Sequence, residues 1–210
     1  PRRQRQMCIR DSSDPYEESL KKCQELLKKE VVCFENHQDL IKENLVDVYI
    51  ISSPNFTHIK ILKDEIKTKK HILVEKPLCT KTKDCLEIEK LTKNYPSVFW
   101  IAMEYRYMPP VSKFIKEIHS KTIGDLKTLT IREHRFPFLK KVNDWNRFEK
   151  NTGGTLVEKC CHFFDLMRFI VKSEPISVYA SGGQDVNHLD EEYDGKKPDI
   201  IDNAYVMHYQ

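Results

Sequence analysis

Residues 46–58, V-D-V-Y-I-I-S-S-P-N-F-T-H, decide the fold. The apolar run at 46–52 reads as a buried strand, and Ser53-Pro54-Asn55 breaks it. A helix follows over 56–70, with Ile59, Leu62 and Ile66 at helical spacing. Residues 71–74, H-I-L-V, form a second short apolar strand, ended by Glu75-Lys76-Pro77. Strands joined by helices of this length are parallel β-α-β units, which bind ligands at the carboxyl ends of the strands. The loops 52–55 and 75–78 both fall at such ends.

Working outward, residues 15–30 read as a helix with Pro15 at its first position, and 31–34 as a short strand. A helical turn at 39–44, a helix at 82–94 and a strand at 98–102 complete the first half. A doubly wound sheet normally opens with a strand and a phosphate-binding turn; here the sequence starts around the second unit. After Pro109-Pro110 a helix runs to His119, Gly124 breaks the chain, and 126–136 alternates like a strand. A polar loop at 143–152 carries Trp145. Gly153-Gly154 then leads into one long helix over 155–171. Two further strands, 178–181 and 204–209, flank the acidic stretch 185–199. The expected architecture is α/β: an incomplete Rossmann-type doubly wound parallel sheet at 1–105, then an incomplete α+β domain with a mainly antiparallel sheet at 106–210.

Only 6 of the 210 residues are glycine, and the first is Gly124. Neither a G-x-G-x-x-G turn nor a P-loop fits in the first half. The net charge of +3, from 35 basic and 32 acidic side chains, points to no nucleic-acid partner. No apolar run approaches ~18 residues, so no membrane span is expected. The cysteines are Cys8, Cys23, Cys33, Cys79, Cys85, Cys160 and Cys161, an odd set without C-x-x-C. That pattern fits reduced thiols in a cytoplasmic protein rather than a disulfide frame or a zinc site. The basic start, P-R-R-Q-R-Q at 1–6, has no apolar core behind it and so is no secretory signal. It also lacks a starting methionine, and the last strand runs into Gln210 without a cap; a chain truncated at both ends is expected.

Two motifs carry chemistry. Lys76, directly after a buried strand, stands at the ligand edge of the sheet or is an ordinary strand-end lysine; Pro77 fixes the backbone beside it, and the Lys-Pro bond is open to the cis form. In G-T-L-V-E-K-C-C-H-F-F-D at 154–165, a helix puts Glu158, His162 and Asp165 on one face, with Leu156, Cys160, Phe163 and Met167 on much of the opposing one. A carboxylate four residues before a histidine either orients it as a base or forms a solvated polar pair with it. The same spacing resembles a zinc pair, but no third ligand is evident, so no metal is expected.

In series, V-D-V-Y-I-I-S-S-P-N-F-T-H, H-I-L-V-E-K-P-L, E-Y-R-Y-M-P, Trp145 and G-G-T-L-V-E-K-C-C-H-F-F-D resemble the glucose–fructose oxidoreductase / inositol dehydrogenase (Gfo/Idh/MocA) family. The resemblance runs from about Asp14 to the C-terminus. It implies hydride transfer between a nicotinamide cofactor, NAD or NADP, and a secondary alcohol or ketone of a sugar, cyclitol or related polyol. It makes Lys76 the active-site lysine and His162 the catalytic histidine, with Glu158 where the family commonly has aspartate. Asp165 matches a position contacting substrate hydroxyls, and Arg106 lies in an N-x-R-F-like segment on the substrate side. Ser53, Pro54, Asn55 and His58 match the loop beside the nicotinamide, and Glu75, Lys76 and Pro77 the next loop along the cofactor. Asp14 is expected to hold the adenine ribose, with Asp11 as the rival. Lys159 is a substrate contact or a surface lysine, and Trp145 covers the substrate or plugs the domain interface. His134 and Arg135 are weaker candidates. The resemblance also implies a homo-oligomer packed through the open sheet of the second domain. A different reading is a non-catalytic binding or oligomerisation module of the same fold; a zinc hydrolase is a distant third. Without a glycine-rich turn, the chain as written is expected to bind dinucleotide poorly.

Overall fold

The computed structural model describes residues 9–28 and 30–209. The basic start at 1–6, Cys8, Lys29 in the first expected helix and the terminal Gln210 lie outside the described residues.

The first half alternates strand and helix: β1 (Asp11–Ser13), α1 (Glu17–Leu27), β2 (Val32–Phe34), α2 (His37–Glu43), β3 (Val48–Ile51), α3 (His58–Glu65), β4 (His71–Val74), α4 (Thr82–Thr92) and β5 (Phe99–Ile101). All pairings are parallel. β1 pairs with β2, while β4 lies between β3 and β5, with Ile51 opposite Val74 and Val74 opposite Ile101. Among the described residues no ladder joins the pair to the three-stranded sheet. The strand period of two sends Tyr49, Ile51, Ile72 and Val74 to one face. There Leu62 and Ile66, and Ile88 of α4, close a buried cluster over them. The opposite face leaves Val48, Ile50 and Trp100 exposed. α2 starts two residues before the expected turn at 39–44, because the Asn36 side chain accepts the Asp39 N–H at 2.9 Å, a helix cap.

The second half contains α5 (Pro109–His119), α6 (Glu149–Thr152), α7 (Thr155–Glu158), α8 (Cys161–Val171), β6 (Ser177–Gly183) and β7 (Asn203–Tyr209). Ile115 and Ile118 of α5 pack on Leu166 and Ile170 of α8, and Leu126, Leu129 and Ile131 cover that cluster. β6 and β7 form an antiparallel pair, Ser177 opposite Tyr209 and Gly183 opposite Asn203. A Cβ at Gly182 would stand 2.5 Å from the Asn203 carbonyl oxygen, so the register needs glycine there. The acidic stretch is a loop closed by Asp202, whose carboxylate accepts the N–H groups of Val186 at 2.7 Å and Asn187 at 2.6 Å.

Several expectations differ. Pro15 lies before α1 rather than at its first position, and the stretch 143–152, read as a loop, holds short helical turns at 142–147 and in α6. The segment 126–136 is no strand. Leu126, Leu129 and Ile131 turn onto α5 and α8 without strict alternation, and among the described residues the segment's backbone has no ladder partner. The single helix expected over 155–171 is two. The Cys160 N–H reaches back five residues to the Thr155 carbonyl at 3.3 Å, and a new helix restarts with the Phe163 and Phe164 N–H groups on the Cys160 carbonyl. Such a widened turn rotates everything after it relative to what precedes it. Glu158 and His162 therefore do not share a helix face.

Candidate active site

The loop after β3 is held by a buried histidine. His58, with no exposed surface, places its Nδ1 2.9 Å from the Pro77 carbonyl oxygen and its Nε2 2.9 Å from that of Ser53. It straps the 53–55 loop to the 75–77 loop rather than opening onto a ligand. The Thr57 hydroxyl supports the same loop, 2.7 Å from the Ser53 hydroxyl and from the Pro54 carbonyl. Asn55 is buried; its Nδ2 donates to the Thr152 carbonyl at 3.3 Å and to the Glu158 carboxylate.

Lys76 leaves the end of β4, and the Lys76–Pro77 bond is cis. Its Nζ donates to the Glu158 carbonyl at 2.9 Å and lies 3.6 Å from Glu158 Oε1. Glu75 is exposed, and Pro77 is buried beneath the lysine. The first half of the chain meets the second at this place. A Cβ on Gly153, at φ +83°, would stand 2.9 Å from the Thr80 carbonyl oxygen, so glycine permits the close approach.

His162 is 2% exposed. The Tyr105 ring stacks on it at 4.1 Å and 3°, and Glu104 Oε1 lies 3.4 Å from its Nε2. Its Nδ1 is buried without a hydrogen-bond partner. Burial lowers the imidazole's pKa most; Glu104 pulls it back up, Lys76 and Lys159 push it further down, and Asp165 raises it.

Arg106 grips Asp165 with two parallel hydrogen bonds, Nε to Oδ2 at 2.6 Å and Nη2 to Oδ1, while its guanidinium lies 4.4 Å from the Phe169 ring centre. The two residues expected to contact substrate separately are thus engaged with each other. Lys159 is buried rather than a surface lysine. Its Nζ donates to the Tyr105 hydroxyl and lies 3.4 Å from Glu133 Oε1 and 4.7 Å from the Tyr105 ring centre. Trp145 is half-buried and meets Phe56 edge to face at 6.2 Å, a contact between the two halves of the chain. Asp14 follows β1 and accepts the Tyr16 N–H at 2.8 Å, opening α1; both Asp11 carboxylate oxygens are buried without a hydrogen-bond partner. His134 and Arg135 lie in the extended segment; His134 Nε2 is 2.9 Å from Arg132 Nε. Among the described residues no three His, Cys, Asp or Glu side chains gather as a metal site.

Lys76, Asn55, Glu158 and His162 thus converge where the loops after β3 and β4 meet the α7–α8 break. The residues missed in the sequence are Glu104 and Tyr105. They lie in the quoted E-Y-R-Y string, but nothing in their spacing connects them to a histidine some 58 residues on. The group the fold calls for is a dinucleotide, and the fit is partial. The strand ends bring polar loops beside a buried imidazole nitrogen without a partner, whereas the first 123 residues hold no glycine for a pyrophosphate turn.

Comparison with known proteins agrees with this layout. Residues 2–103 match the model of an oxidoreductase family with an NAD-binding Rossmann fold, and 115–209 match that family's C-terminal alpha/beta domain. Myo-inositol 2-dehydrogenase of Thermotoga maritima is 28% identical over 200 residues, covering 94% of this chain and 56% of the relative. Inositol 2-dehydrogenase of Rhizobium meliloti is 27% identical over 139 residues, 65% of this chain and 40% of the relative. Among solved structures, levoglucosan dehydrogenase in complex with NADH and levoglucosan superposes with a TM-score of 0.78 at 20% identity, covering 96% of this chain and 54% of that one; it bears on the fold alone. The chain spans about half the length of the relatives it matches. With both family domains matched in order, the chain belongs to the Gfo/Idh/MocA oxidoreductase family, and its first half is the family's NAD-binding Rossmann domain.

Proposed function

We propose that the protein is an NAD-dependent dehydrogenase acting on a secondary alcohol, or the matching ketone, of a sugar or cyclitol. Residues 1–105 serve the cofactor and 106–210 the substrate. The observation that carries the reading is the convergence of the Lys76 ammonium on the helix break that precedes the buried, half-unpartnered imidazole of His162. When bound, the nicotinamide ring supplies the hydride acceptor. The 53–55 loop and the backbone at 75–77 hold that end of the cofactor. His162 takes the proton of the substrate hydroxyl while the carbon gives up its hydride, so the alcohol becomes a ketone and one proton is left on the imidazole. Lys76 hydrogen-bonds the same oxygen and stabilises its negative charge. Glu158 keeps the Lys76 ammonium pointed inward, because its carbonyl and its carboxylate both hold the Nζ.

Two relatives carry inositol dehydrogenase names, which supports a cyclitol or sugar as substrate. The free cysteines Cys23, Cys33, Cys79, Cys85, Cys160 and Cys161 fit a reducing, cytoplasmic setting. No helix among the described residues is long and apolar enough to cross a membrane. The exposed Val178, Tyr179, Tyr205 and Met207 of β6 and β7 suit packing against a second copy of the chain. The catalytic reading stands over a passive binding module because the lysine, histidine and carboxylates are assembled rather than scattered.

The test is turnover of the complete gene product with NAD and a panel of cyclitols and sugars, read by the absorbance of reduced nicotinamide. At least one polyol should be oxidised, and Lys76→Met and His162→Ala should each abolish the signal. Near-normal turnover in both variants, or none with any polyol at saturating cofactor, overturns the proposal.

A further inference from the structure

We propose that Glu104 is the positioning residue for His162, setting its tautomer and supporting the charge it gains. The inference rests on reading His162 as the base and goes beyond it by naming the carboxylate that works with it. The sequence pattern gives that part to Glu158. In the structure Glu158 is occupied elsewhere, with Oε2 taken by Asn55 and Oε1 beside Lys76. The carboxylate that meets the imidazole is Glu104, at 3.4 Å from Nε2.

Placement of Glu104 follows from its neighbours in the single turn Glu104–Tyr107. Arg106 is clamped to Asp165 of α8, one turn beyond His162, and the Ser112 hydroxyl donates to the Arg106 carbonyl at 2.7 Å. With Arg106 fixed, Tyr105 lies flat on the imidazole and Glu104 reaches its Nε2 edge. A carboxylate at Nε2 favours the proton on that nitrogen, which leaves the lone pair on Nδ1. Nδ1 is buried without a partner, so the contact of Nε2 with Glu104 is the ring's one side-chain ion pair among the described residues.

The other charged groups around the ring make Glu104 necessary. Lys76, from the loop after β4, and Lys159, just before α8, both oppose a positive imidazole, as does burial. Of the two acids that favour it, Asp165 on α8 is already matched by Arg106. Tyr105, from the same turn as Glu104, is neutral and covers one ring face. Glu104 is 57% exposed, so its carboxylate stays largely in water while Oε1 reaches a ring that is nearly out of water.

The test is a heteronuclear NMR titration of the His162 ring, assigned by the signal lost in His162→Gln, for the wild type, Glu104→Gln and Glu158→Gln. Glu104→Gln should move the His162 midpoint downward and weaken the preference for the Nε2–H tautomer; Glu158→Gln should move it less. In the active enzyme Glu104→Gln should also shift the acid limb of kcat/KM to lower pH and lower the plateau kcat, with KM little changed. A His162 midpoint unchanged in Glu104→Gln, or moved further by Glu158→Gln, overturns the inference. The titration needs no turnover. Failure of His162 as the base would appear instead as retained activity in His162→Ala.

Discussion

The Nζ of Lys76 stands 2.9 Å from the backbone carbonyl oxygen of Glu158, a hydrogen bond between a strand end in the first half of the chain and a helix end in the second. The carbonyl is within reach because α7 stops at Glu158 instead of running on into α8. Asn55 spans the same boundary to the Thr152 carbonyl and the Glu158 carboxylate. The ammonium is therefore aimed by the second domain although the first domain carries it. The aim of that ammonium and the docking of the two halves depend on the same few atoms.

Replacing Lys76 with methionine keeps the length of the side chain and removes its charge. Turnover should fall by about 100-fold or more, as when a donor to a developing oxyanion is lost. Stability should fall by only about 0.5–1.5 kcal/mol for one hydrogen bond. Steady-state kinetics beside a urea melt will separate the two effects.

Asp165→Asn should act on the site through structure. It breaks the paired bonds to Arg106 and releases the turn that holds Tyr105 on His162. The expected loss is roughly 1–3 kcal/mol for a charge-assisted pair that is only partly exposed. A double-mutant cycle with Arg106→Gln should return most of it as coupling energy. Additive losses would mean that the two residues act independently.

Glu65 makes stability depend on pH. Burial first, and then the charge of Asp64, raise its carboxyl from the usual 4.5 to about 8, and its Oε2 has no hydrogen-bond partner. Between those values the folded protein holds a proton that the unfolded chain has released. The stabilising contribution is complete below 4.5 and is lost as the pH rises towards 8. Glu65→Gln should flatten that slope and stabilise the protein at pH values above it by about 1–3 kcal/mol, the cost of a buried group left unpaired. Denaturant midpoints across the range will show it.

A titration with NADH, followed by nicotinamide fluorescence, should show weak binding by residues 1–210. The first 123 residues offer no glycine for the turn that lets a backbone approach a pyrophosphate. Tight, saturable binding would mean that another segment cradles the phosphates.

The parallel core is legible in the sequence because its signal is local. The alternation in V-Y-I-I and H-I-L-V becomes the buried face of Tyr49, Ile51, Ile72 and Val74. Lys76 and His162 are legible as candidates because their flanking motifs are specific. The break between α7 and α8 is not, because it accompanies a tertiary contact, Lys159 buried against Tyr105 and Phe163, that no local pattern shows. Glu104 is hidden for the same kind of reason: its contact with His162 exists only after Arg106 and Asp165 have met. At 126–136 the side chains that face the helices, Leu126, Leu129 and Ile131, do not keep a period of two, and the ladder partner a strand would need is specified by no pattern within one segment.

The pairing of β1 and β2 bears on how this chain opens to solvent. Among the described residues these two three-residue strands ladder only with each other, so few backbone hydrogen bonds hold them. Their amides should exchange with solvent by local opening, at a small fraction of the free energy of global unfolding. Those of Ile72 and Val74, laddered on both sides, should wait for the whole domain to open.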